Sequence, residues 1–229
     1  MLEISAMKAI HEKGLLGVVP VGAKSALIML HGYGDSAEGL FDLAPVFAEK
    51  VPWLAVFSLD APEENEQLEV AAFGGRQWFS LKDYFVRGFK PGDFAPAIAK
   101  FFPYIKSKIA RAAELAKVPV EQAFVLGFSQ GAMVALSYAL TSGEKPAGVI
   151  ACAGIGDFSA AEVVSKPRVF SIHGDADDVV PFAAQENLRS TLALASVPVE
   201  FLSIKNAGHD GCFTAEAVDK IADFLRRTA

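Results

Sequence analysis

Apolar runs of strand length recur along this chain, at residues 25–30, 53–59, 124–128, 148–152, 169–172 and 199–204. Most are apolar at nearly every position rather than at alternate ones, which predicts strands covered on both faces. Between them the spacing changes to the helical period. Ser36 can cap a helix carrying Leu40, Leu43, Phe47 and Val51 on one face. The pattern from Ile98 to Ala116 is divided by Pro103, so two pieces are expected, the second with the proline in its first turn. Further helices are expected from Gln130 to about Leu140, stopped by Ser142-Gly143, near residues 159–164, from Ala183 to Leu194 and from Thr214 to Arg227. Ahead of the core, Leu15 to Val21, punctuated by Gly14, Gly17, Pro20 and Gly22, predicts an edge strand or a short hairpin. Strand and helix alternating in this way predict an α/β fold, a mainly parallel central sheet with helices on both faces.

One stretch breaks the alternation. Residues 62–94 bring an acidic patch (Glu63, Glu64, Glu66, Glu69), then Gly74-Gly75, then Trp78, Phe79, Tyr84, Phe85, Phe89 and Phe94. A long aromatic-rich excursion is either a functional loop or a set of rings closing the core from outside, and the pattern leaves both open.

Length and composition narrow the class. At 229 residues, with no linker or internal repeat, the chain fits a single domain over 1–229. Hydrophobic residues make up 52% and charged ones 21%, the balance of a globular protein. A formal charge of −6 argues against a nucleic-acid partner and for a small, neutral substrate. No apolar run has the length of a membrane span and the start lacks a basic region followed by an apolar block, so a cytosolic (cytoplasmic) protein is expected. Cys152 and Cys212 make no disulfide framework, and Cys152 reads as a small buried hydrophobe.

Chemistry collects where the strands end. In open α/β sheets ligands bind beyond the carboxyl ends of the strands. There this chain places His31-Gly32-Tyr33-Gly34-Asp35, the Gly-x-Ser-x-Gly of residues 127–131, His173-Gly174-Asp175-Ala176-Asp177-Asp178, and Gly208-His209. A serine hydroxyl is a weak nucleophile until a histidine takes its proton, and the histidine needs an acid to fix its tautomer. In the order of the α/β-hydrolases, Ser129 would be nucleophile, Asp177 the acid and His209 the base, with Asp175 and Asp178 competing for the acid's place. His31 precedes the nucleophile and His173 precedes the acid, so both read as structural. The developing oxyanion needs two donors, for which the N–H groups of Gln130 and Tyr33 are the candidates. Neither a two-histidine helix spacing nor a cysteine pair is present, so no metal is expected.

Taken together, Gly127-Phe128-Ser129-Gln130-Gly131, His31-Gly32-x-Gly34-Asp35, His173-Gly174-x-x-Asp177-x-Val179-Val180-Pro181 and Gly208-His209 resemble the phospholipase/carboxylesterase family, which includes the acyl-protein thioesterases. The resemblance spans nearly the whole chain. It implies the α/β-hydrolase fold, Asp177 as the acid, Tyr33 as the first oxyanion donor, and hydrolysis of carboxylic esters, with thioesters in the same range, through an acyl-serine and without a cofactor. Two departures stand out: Tyr33 occupies a position where members often carry an aliphatic residue, and Gly74-Gly75-Arg76-Gln77-Trp78-Phe79 resembles a bacterial esterase version more than the eukaryotic depalmitoylases. The expectation is therefore a carboxylesterase for short to medium acyl esters, monomeric or a homodimer, with Trp78 and Phe79 contributing to substrate binding. The alternatives are a lysophospholipase or acyl-protein thioesterase and, from another class, a non-catalytic binding protein on the same fold.

Overall fold

A computed structural model describes residues 7–82, 86 and 92–229. Its main sheet has eight strands, in the order β1 (Met7–Glu12), β2 (Leu15–Pro20), β4 (Leu54–Leu59), β3 (Ser25–Leu30), β7 (Ala123–Phe128), β8 (Gly148–Cys152), β9 (Arg168–Gly174) and β10 (Val199–Ile204). The β1–β2 hairpin is antiparallel and joins β4 antiparallel, while every pairing from β4 to β10 is parallel. A second, two-stranded sheet pairs β5 (Glu63–Glu64) with β6 (Arg76–Gln77) inside the acidic excursion, flanking α3 (Leu68–Ala72).

The continuous apolar runs have the cause inferred for them. Within β3, Ala26, Ile28 and Leu30 pack into one cluster with α4 (Ala95–Ala99), α5 (Phe102–Ala116), α6 (Gln130–Thr141) and α7 (Ala183–Leu194). Leu27 and Met29 pack into the other with α1 (Ala37–Phe41), α2 (Ala44–Lys50) and α8 (Ala215–Thr228). Side chains alternate across a strand, so only an all-apolar strand suits a sheet with helices on both faces.

Three elements differ from expectation. The helix expected from Ser36 through Val51 is two helices, because Pro45 stands in the first turn of α2 and cannot occupy a helix interior. Ser36 does cap α1, accepting from the Gly39 N–H. Residues 159–164 hold only a 3₁₀ turn, Ala160–Glu162, closed by a capping box between Ser159 and Glu162. The apolar stretch at 15–21 is the second strand of a hairpin whose first strand, β1, was not foreseen because Ile10 is its one fully buried position. Pro103 divides α4 from α5 as expected. Of the excursion's aromatics, Tyr84, Phe85 and Phe89 lie outside the described residues.

Candidate active site

β7 delivers Ser129 into a reversal of direction, with φ 52° and ψ −116°, before α6 begins. A residue with a Cβ is strained there and persists only because its surroundings over-determine it. The Ser129 N–H donates to the Cys152 carbonyl at 2.8 Å. A Cβ on Gly127 would stand 2.2 Å from the Gly131 carbonyl oxygen, and one on Gly131 would stand 2.2 Å from the Leu30 carbonyl oxygen. Both glycines of the motif are thus steric requirements of the turn. Gly131→Ala is expected to destabilise the fold by about 3 kcal/mol or more, since the clash is with β3 backbone that cannot give way, and a urea unfolding midpoint measures it.

The turn that follows β9 carries Asp177, and β10 leads to His209 in the 3₁₀ turn His209–Phe213. Asp177 Oδ1 accepts from the N–H groups of Val179 at 2.9 Å and Val180 at 2.8 Å. Its Oδ2 accepts from His209 Nδ1 at 2.8 Å. Burial pushes the Asp177 carboxyl up, but the bonds from His209, Val180 and Val179 outweigh it and hold the group below the usual carboxylate range. An ionised carboxylate only accepts, so the proton of a neutral His209 sits on Nδ1 and Nε2 keeps a lone pair. The His209 ring lies 5.0 Å, centroid to centroid, from that of Phe128, the residue before Ser129. The candidate base therefore stands beside the Ser129 turn. Of the competing acids, Asp175 instead receives the Asn206 N–H as a turn cap.

Two further histidines near this sheet edge, His31 and His173, are buried and hydrogen-bonded to backbone groups. His31 is wholly buried, its Nε2 accepting the Ala61 N–H at 3.0 Å and its Nδ1 donating to the Gly32 carbonyl at 2.7 Å. Burial lowers its pKa and keeps it neutral. His173, also buried, donates from Nε2 to the Val180 carbonyl at 2.8 Å and lies 3.2 Å from Asp177 Oδ2.

The loop after β3 presses against the serine: a Cβ on Gly32 would stand 3.5 Å from Ser129 Cβ and 3.1 Å from the Phe128 ring. Tyr33 follows directly. Gln130 lies in the first turn of α6, whose opening N–H groups have no intrahelical acceptor. Segment 76–79 clamps both. The Gly34 N–H donates to the Arg76 carbonyl and the Arg76 N–H to the Asp35 carbonyl, each at 2.8 Å. The Trp78 indole donates to the His31 carbonyl at 2.9 Å. Gln130 accepts the Trp78 N–H on Oε1 at 2.9 Å and donates from Nε2 to the Phe79 carbonyl at 2.8 Å.

Trp78 and Phe79, the two rings expected at the substrate site, are buried in this arrangement. Trp78 and Phe79 are 0% and 2% exposed, with Trp78 beside His31 at 5.6 Å and Phe79 against Phe94 at 4.9 Å between ring centroids. Through their hydrogen bonds both residues hold Gln130, and Trp78 also holds the His31 carbonyl. The Gln130 side chain was missed as a support because its partners, Trp78 and Phe79, are distant in sequence. Among the described residues no group of three or more His, Cys, Asp or Glu side chains could hold a metal ion.

The model of the phospholipase/carboxylesterase family matches residues 20–229. An acyl-protein thioesterase 1 of Mycosarcoma maydis is 27% identical over 243 aligned positions, covering 98% of each chain. The acyl-protein thioesterase 1 of Neurospora crassa is 34% identical over 116, which is 47% of this chain and 46% of that one. Esterase PE8 superposes with a TM-score of 0.81 at 25% identity, covering 97% of this chain and 99% of its own. A phospholipase/carboxylesterase of Dyadobacter fermentans shares the fold, with a TM-score of 0.69 at 23% identity over 96% and 99% of the two chains.

Proposed function

The chain belongs to the phospholipase/carboxylesterase family, and on that premise we propose that it is a serine carboxylesterase in which Ser129, His209 and Asp177 act in series. The observation that supports this most is the strained Ser129 turn beside a histidine whose Nδ1 is held by the buried Asp177 carboxylate at 2.8 Å. His209 Nε2 takes the Ser129 hydroxyl proton as the oxygen attacks the ester carbonyl. The N–H groups of Tyr33 and Gln130 receive the oxyanion. Collapse expels the alcohol, protonated by His209, and leaves an acyl-serine that water cleaves by the same route.

The substrates of this reading are small esters of short to medium acyl chains, and the reaction draws on no cofactor. The compartment is the cytosol, a reading that the two free, buried thiols Cys152 and Cys212 suit. A second reading, hydrolysis of acyl thioesters or lysophospholipids, is favoured by the acyl-protein thioesterase relatives.

An alkyl fluorophosphonate should label the folded protein at Ser129, located by mass spectrometry of the digest. Rates on p-nitrophenyl esters from acetate to palmitate, and on matching thioesters, then separate the two readings. A sharp fall beyond medium chains supports the carboxylesterase, whereas rates sustained to palmitate support the second. A folded protein that takes no label and turns over none of these esters is a binding protein on a hydrolase fold, and the proposal fails.

A further inference from the structure

Tyr33 stands between Gly32 and Gly34, the latter at φ 81° and held through its N–H on the Arg76 carbonyl. Its side chain supplies an anchor. Tyr33 Oη donates to Glu66 Oε1 at 3.0 Å. The same carboxylate accepts the Leu81 N–H at 2.9 Å and the Ser80 hydroxyl at 2.5 Å, while the Glu66 N–H donates to Gln77 Oε1 at 2.9 Å. Glu66 thereby joins the loop after β3 to both ends of segment 77–81. Burial acts to raise the Glu66 carboxyl, but the bonds from Ser80, Leu81 and Tyr33 outweigh it and hold it below the usual range, so it remains a charged acceptor. The Tyr33 phenol, pushed up to about 12 by burial and by Glu66, remains a donor.

We propose that Glu66 is a positioning residue for the oxyanion hole: by holding the Tyr33 hydroxyl it fixes the direction of the Tyr33 N–H toward the substrate carbonyl. The acidic excursion is then part of the reaction machinery and not only a cover over the core. This rests on Tyr33 N–H being an oxyanion donor in the esterase reading above. A donor aimed before the reaction begins stabilises the transition state without reorganising, so loosening it lowers kcat and leaves ground-state binding alone. Packing alone would predict the reverse, a change in stability or KM with kcat preserved.

The test uses the full chain and p-nitrophenyl butyrate. Tyr33→Phe keeps the ring and the backbone N–H and deletes the anchor. Its kcat should fall about tenfold with KM within about twofold. Glu66→Ala should fall at least as far, and Glu66→Gln, which keeps an oxygen acceptor for the phenol, should stay within about threefold of the parent. Adding Tyr33→Phe to Glu66→Ala should change kcat by less than about twofold, since the two removals break one bond. Parental kcat in Tyr33→Phe, or losses that multiply in the double variant, would overturn the proposal. Fluorophosphonate labelling of the parent separates this failure from the other: if the parent reacts and Tyr33→Phe equals it, Glu66 has no such role, whereas a parent that neither reacts nor hydrolyses removes the esterase reading and this one with it.

Discussion

Ser129→Ala is expected to lower kcat on p-nitrophenyl esters by a factor on the order of 10⁵ to 10⁶, leaving only what the oxyanion donors and binding supply. The size follows from chemistry, because no other hydroxyl stands in the strained turn between β7 and α6. Stability should hardly move, since alanine keeps the Cβ and the same backbone strain. Ser129→Gly separates the two contributions. Glycine adopts φ 52° without penalty, so this variant should be equally inactive and more stable by about 1–2 kcal/mol. Thermal or urea unfolding beside the rate assay reads both. A Ser129→Ala protein within tenfold of the parent rate would remove Ser129 from the mechanism, and a Ser129→Gly protein no more stable than the parent would show the turn to be unstrained.

The elements legible in the sequence are those whose cause is local. β3 and β7 read correctly because an all-apolar strand has few alternatives to burial on both faces, and the Gly-x-Ser-x-Gly turn reads because its glycines answer contacts within a few residues and one neighbouring strand. Ser129, Asp177 and His209 were legible as a candidate set, and the bond from Nδ1 to Oδ2 pairs Asp177, not Asp175, with His209. The break between α1 and α2 was equally local, since Pro45 marks it, but the apolar spacing across 40–51 masked it.

The excursion was illegible for a different reason. Its bonds join Tyr33 to Glu66, His31 to Trp78 and Gln130 to Trp78 and Phe79, pairs separated by tens of residues, and no local pattern encodes them. An aromatic ring in a loop can face substrate or core, and only the finished packing put Trp78 and Phe79 inside. The acidic run likewise resembled a solvated patch, yet Glu66 within it is bonded to four other groups through its carboxylate and N–H while Glu63 and Glu64 stay exposed.

Asp177→Asn is expected to lower kcat by about 10³ to 10⁴ with little change in KM. The amide oxygen can still accept the Val179 and Val180 N–H groups, so the turn survives. The amide NH₂ would then face His209 Nδ1, which must become the acceptor, and the ring proton moves to Nε2, where the base needs a lone pair. Asp175→Asn should stay within about twofold, because its oxygen still caps the Asn206 N–H. The stability difference between the parent and Asp177→Asn should itself depend on pH. The folded carboxyl is held below its ordinary value, so its contribution is fully present above the unfolded carboxylate range, about pH 4. It is lost as pH falls through the lowered folded value. Urea midpoints of the two proteins should therefore differ at neutral pH and converge in acid. If Asp177→Asn retained most of its activity while Asp175→Asn lost it, the acid would be reassigned, and with it the tautomer that makes His209 a base.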